Sequence, residues 1–176
     1  MRGKRVAVVA MIALLAAPLS ACGDDSSGIR PLDDETSSTR ATDAGFTSEQ
    51  QDVIDAARAF TQAVETDDGR SIDQRLEGLY TGNGVAQVIA AEKSLEAEGY
   101  RYSGSSKLNP EEVTINGASA VLTGCNDPTG VVLVKGDADQ AEGARTLGGP
   151  TSVRFTLTQV DGRWLMSDPR STGEPC

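Results

Sequence analysis

Between Phe46 and Cys176 the apolar residues fall at two successive spacings, and the change between them divides the chain. Val53, Ala57, Phe60 and Val64 recur every three or four residues, which places them on one face of a helix. Thr47 or Ser48 stands at its start, with Gln50 or Gln51 three residues on. Glu49 and Asp52 occupy the first turn, where the helix dipole favours acids. The helix is expected to stop near Asp67, Asp68 and Gly69. Ile72, Leu76, Leu79 and Tyr80 predict a second, shorter helix. After the breaker TGNG at Thr81 to Gly84, the residues Val85, Val88, Ile89 and Leu95 predict a third, ended by Gly99.

Beyond Gly99 the period shortens to that of strands. Tyr100 to Leu108 reads as one strand and Val113 to Ile115 as the next, and Asn116 with Gly117 is a hairpin signal leading into Ala118 to Cys125. Val131 to Val134 is a short buried-looking run. Gly136 to Pro150 is a polar, glycine-rich excursion expected to be a loop. The final hairpin alternates most clearly, with Val153, Phe155 and Leu157 on one face before Asp161 and Gly162, and Trp164 and Met166 after them. Helices first and a meandering antiparallel sheet afterwards predict a single α+β domain over residues 46–176.

Two segments precede that domain. Arg2, Lys4 and Arg5 introduce the apolar run Val6 to Leu19, which is shorter than the ~20 residues that cross a bilayer, and Pro18 interrupts its end. Cations, an apolar stretch and small residues make residues 1–21 a secretory signal peptide. Residues 22–45 are rich in Asp, Ser, Thr and Gly and nearly free of apolar side chains, so they are expected to form a disordered tether. Leu19, Ser20, Ala21 and Cys22 resemble the lipobox of bacterial lipoproteins. That resemblance implies cleavage before Cys22 and a diacylglyceryl thioether on its sulfur. The expected location is therefore the extracytoplasmic face of the bacterial cell membrane, with the membrane held through the anchor at Cys22.

Composition sharpens this picture. The chain carries a net charge of −10, and loss of the three signal cations with no acid takes it to −13, a polyanion that nucleic acid repels. With Cys22 lipidated, Cys125 and Cys176 remain in a compartment where disulfides persist, and they are expected to pair. The chain has no histidine, which removes Ser/His/Asp and Cys/His nucleophilic schemes and every imidazole metal site. Asp137 and Asp139 begin like a calcium loop, but the sixth-position glycine and twelfth-position glutamate are missing, so no metal and no cofactor are expected. Arginine outnumbers lysine, as in proteins of high-GC bacteria.

The long opening helix, the two helices behind it and the closing strand, Asp161, Gly162, Arg163, Trp164, strand resemble the NTF2-like, cystatin-related cone fold. The lipobox, Cys125 with Asp127, and Pro175 with Cys176 resemble actinobacterial NTF2-like lipoproteins. The resemblance implies a curved antiparallel sheet under three N-terminal helices, with a cavity for which Val53, Phe60, Leu79, Tyr102, Phe155 and Trp164 are candidate lining. It also implies a weak homodimer through the sheet. Isomerases of the fold use an Asp base with a Tyr donor, for which Asp127 with Tyr80, Tyr100 or Tyr102 are the candidates. Dehydratases often use a pocket histidine that this chain lacks. The leading expectation is a non-enzymatic binding or accessory module for an envelope protein partner or a small apolar ligand. An isomerase- or dehydratase-type enzyme using Asp127 is the alternative.

Overall fold

The structure, a computed structural model, describes residues 45–136 and 144–176. Its elements run α1 (Ser48–Glu65), α2 (Ile72–Arg75), α3 (Ala86–Ala97), β1 (Tyr100–Gly104), β2 (Lys107–Asn116), β3 (Ser119–Asp127), β4 (Val131–Lys135), β5 (Arg145–Thr146), β6 (Thr151–Val160) and β7 (Arg163–Pro175). The expected α+β order of helices followed by antiparallel strands is the order found. Signal peptide, tether, Cys22, Asp137 and Asp139 lie outside the described residues, apart from Gly45 at the tether's end.

α1 forms as its sequence dictates. The Thr47 hydroxyl accepts from the Gln50 N–H while the Gln50 side chain accepts from the Thr47 N–H, a complete capping box. Val53, Ile54, Ala57 and Phe60 then form its buried stripe. Gln50 Nε2 also donates to the Val113 carbonyl at 2.7 Å, tying the start of α1 to β2. The second helix is shorter than its apolar spacing predicts. It ends after one turn, Gly78 adopts a φ of 72°, Leu79 closes a turn onto Leu76, and Tyr80 pairs in parallel with Met166 of β7. There the Met166 N–H donates to the Leu79 carbonyl at 3.0 Å and the Thr81 N–H to the Met166 carbonyl at 2.8 Å. Leu79 and Tyr80 thus cover a sheet edge, satisfying backbone groups that a longer helix would have left bare.

The strands form two antiparallel sheets, β1-β4-β5 and β2-β3-β6-β7. Tyr100 to Leu108 is not one strand, because Ser105 and Ser106 break the ladder between β1 and β2. Pro128 to Gly130 break it opposite, between β3 and β4. A proline without an N–H and a glycine pressed against the facing chain cannot continue regular pairing, so one long ribbon becomes two sheets. Val113 to Ile115 belong to β2, whose register slips between Pro110 and Glu112. The first hairpin loop is Gly117 with Ala118, one residue later than its Asn-Gly signal, with Gly117 at a φ of 58°. In the last hairpin Asp161 and Gly162 both take positive φ, as the tight turn requires. The glycine-rich excursion contains a strand, β5, which pairs with β4.

One apolar core lies between α1 and the four-stranded sheet. Ile54, Leu76, Leu122, Leu157 and Met166 are completely enclosed within it. At the far end of this sheet Cys125 and Cys176 form a disulfide, with Cα atoms 5.9 Å apart. It closes a loop of 51 residues and holds the chain end beside β6, a constraint worth about 4 kcal/mol by chain entropy.

Candidate functional site

α1 reaches its C-terminus with no basic residue in its last turn, so its final carbonyls need donors from elsewhere. Arg75 supplies them. The capping box of Ser71 and Gln74 starts α2, and its single turn delivers Arg75 to the end of α1. Arg75 Nη1 donates to the carbonyls of Ala63 at 3.1 Å, Val64 at 2.8 Å and Thr66, while Nη2 donates to Glu96 Oε1 at 2.9 Å. The guanidinium therefore joins α1, α2 and α3 in one contact set. Its Nε is enclosed and has no hydrogen-bond partner.

α3 is anchored in the same polar way. Its one buried residue is Glu92, only 6% exposed. The Tyr102 hydroxyl on β1 donates to Glu92 Oε1 at 2.8 Å. Burial pushes the Glu92 carboxyl above its ordinary value, against the opposing pull of the Tyr102 hydrogen bond and the Arg75 charge. Burial and the neighbouring Glu92 charge raise the Tyr102 phenol, which keeps it a donor. On α1, Glu65 accepts from the Ser106 N–H at 2.8 Å and so holds the corner between β1 and β2.

Arg75, Glu92, Glu96 and Tyr102 border a cleft of about 390 Å³ between the end of α1, α2, α3 and β1. Leu95, Tyr100 and Tyr102 supply its apolar surface. Its other guanidinium groups are engaged: Arg70 with Asp68 at 2.6 Å, and Arg101 with Asp67 at 3.5 Å and the Gly136 carbonyl at 3.0 Å. Lys135 and Arg145 stand 5.3 and 5.1 Å from the Tyr100 ring centroid.

The six residues named as cavity lining do not meet around one opening. Val53, Phe60, Phe155 and Trp164 belong to the apolar core, and Leu79 packs against it. Leu79 and Trp164 also border a separate groove with Glu49, Asp52 and Arg163, while Tyr102 faces the polar cleft. Asp127 lies at the end of β3. Its carboxylate accepts from the Thr129 N–H at 3.0 Å, and that bond holds it below the usual range, as in an Asx turn. It does not border the cleft that Tyr100 and Tyr102 share. Tyr80 pairs with Met166 at the edge of β7.

Sequence reasoning passed over Arg75 and Glu92, although a signal was present. Arg75 falls on the stripe Ile72, Leu76, Leu79, and Glu92 on the stripe Val88, Ile89, Leu95, so each is a charge at a core-facing helical position. Among the described residues no group of three or more His, Cys, Asp or Glu could hold a metal ion, and no helix is long and apolar enough to cross a membrane.

No protein-family model matches the chain, and no curated protein matches it in sequence. Solved structures do. The intermembrane space region of the chloroplast protein ARC6 is similar with a TM-score of 0.53 at 13% identity, over 70% of this chain and 93% of that one. A protein described as NTF-2 like and of unknown function, from Shewanella oneidensis MR-1, is similar with a TM-score of 0.43 at 15% identity, over 70% and 98% of the two chains. A Mycobacterium tuberculosis protein of unknown function gives 0.47 at 15% identity, over 70% and 71%. The likeness to the ARC6 region is one of fold.

Proposed function

We propose that the protein is a lipid-anchored lipoprotein of the extracytoplasmic face of the bacterial cell membrane. Its α+β domain is a non-enzymatic binding or accessory module of the actinobacterial NTF2-like kind. The observation that carries the non-enzymatic part is that the guanidinium groups of the cleft are committed and that Asp127 lies away from it. Arg75 is spent on the end of α1 and on Glu96, Arg70 and Arg101 on neighbouring acids, and Asp127 on its own turn. A guanidinium that stays protonated cannot act as a general base, and Asp127 is bonded into its own turn away from the tyrosines of the cleft. The disulfide supports the location, since such bonds persist outside the cytoplasm.

The lipid anchor is tested by replacing Cys22 with Ala, which is expected to release the protein from membranes; retention in the detergent-only fraction would overturn it. In-cell crosslinking of the full-length protein, with that variant as control, is expected to capture an envelope partner that is lost with the anchor. Light scattering would find or exclude the homodimer. One observation favours an enzyme of isomerase type, because a carboxyl and a phenol do meet at the cleft, though they are Glu92 and Tyr102 rather than Asp127 with a tyrosine. Steady turnover of a simple ketosteroid or hydroxyacyl substrate, abolished in Glu92→Gln, would replace the binding reading.

A further inference from the structure

We propose that the cleft between α2, α3 and β1 is a binding site for a ligand carrying an organic cation, an ammonium or guanidinium group, which pairs with the free oxygen of Glu92. The inference deepens the binding reading and rests on it. Glu92 is 6% exposed, and its Oε1 accepts from the Tyr102 hydroxyl at 2.8 Å. Its Oε2 has no hydrogen-bond partner among the described residues and is not one of the fully enclosed unpartnered atoms, and Glu92 lines the cleft. A carboxylate on a side chain that is itself buried, beside a space of about 390 Å³, can accept a donor from a ligand held there.

The charges around it select the donor. Arg75, whose charge acts on Glu92, places its Nη atoms on three carbonyls at the end of α1 and on Glu96, so Glu92 has no ion-pair partner among the described residues. Arg70 and Arg101, the other guanidinium groups among the described lining residues, are likewise engaged with acids. Glu65 on α1 and Glu96 on α3 add negative charge around Glu92, and Arg75 opposes it. The aromatic wall adds apolar surface and a second attraction for cations. Tyr100 already draws Lys135 and Arg145 to its ring, and Tyr102 and Leu95 offer surface to a short alkyl chain behind the cationic head. The chain's net negative charge concentrates cations near it from a distance.

The test is calorimetric titration of the full-length protein in detergent with 1,4-diaminobutane, with agmatine as the guanidinium counterpart and succinate as the anionic control, at low and at moderate salt. The expected result is saturable binding of at least one cationic probe and none of succinate. Affinity should fall tenfold or more in Glu92→Gln, which keeps the acceptor for Tyr102, and less in Tyr102→Phe. Affinity should also weaken as the pH falls and Glu92 takes up its proton; Glu65, Arg75, Glu96 and Tyr102 are the groups that face it, from α1, α2, α3 and β1. Equal affinity in Glu92→Gln would mean diffuse attraction to an acidic surface and would overturn the proposal. So would succinate binding, or no heat with either cation. If the cations fail while crosslinking still captures a partner, this ligand assignment falls and the binding module stands.

Discussion

The two ends of α1 are held by opposite physics. Along Val53, Ile54, Ala57 and Phe60 the helix meets the four-stranded sheet through apolar side chains, most of them wholly enclosed. At its C-terminal end the neighbours are Arg75, Glu65, Glu92 and Tyr102, and contact is made by hydrogen bonds and charge beside an open cleft. Apolar packing is additive in area and tolerant of direction, so it supplies stability. Buried charges return little net stability, because desolvation opposes their attraction, but they fix geometry and select ligands. The division places apolar packing along the middle of α1 and polar contacts beside the cleft at its C-terminal end.

The largest effect that should separate the two ends is Leu157→Ala, which leaves a cavity in the apolar core. It is expected to cost about 3 to 5 kcal/mol, read from denaturant midpoints, with ligand affinity unchanged where the protein remains folded. Arg75→Met removes the donors for the end of α1 and the partner of Glu96. Water entering the cleft can satisfy part of what is exposed, so the expected loss is about 2 kcal/mol, accompanied by looser amide protection in α3. A loss as large as that of Leu157→Ala would contradict the division. Thr47→Ala breaks the capping box at the apolar end and should cost about 1 kcal/mol, with no change at the cleft.

The smallest effect is the most diagnostic. The native Glu92 carboxyl lies above its unfolded value of about 4.3, so the folded protein holds the extra proton in that window. Its contribution to stability is present below the unfolded value and is lost as pH rises through the native one. Glu92→Gln should remove this dependence, so the variant gains on the natural protein as pH rises toward neutrality. Paired unfolding curves across that range would show it, and a variant that instead loses ground with rising pH would mean that the Glu92 charge stabilises the fold.

Much of the fold was legible because it rests on period and on local chemistry. The α1 capping box, the stop at Gly99 and the Asp161, Gly162 turn each depend on residues a few positions apart. Leu79 and Tyr80 misled because their spacing suits a helix, while the backbone of β7 needed an edge partner that only the folded chain brings near. The split of the ribbon at Ser105 and Ser106 was obscured for a similar reason, since its cause sits opposite, at Pro128 to Gly130.

The candidate site was the least legible part. Phe60, Phe155 and Trp164 are large and apolar, which marks burial equally well whether a residue lines a space or fills it, and here they lie in the core. By itself the sequence determined the class of elements, their order, the apolar faces and the cysteines available to pair, because each follows from composition or from neighbours along the chain. Only the tertiary structure decided that Arg75 closes the end of α1 and that Glu92 meets Tyr102 beside an opening. An ion's environment is set by residues distant in sequence, 10 positions for Glu92 and Tyr102 and 21 for Arg75 and Glu96, and by how much water the fold leaves around them.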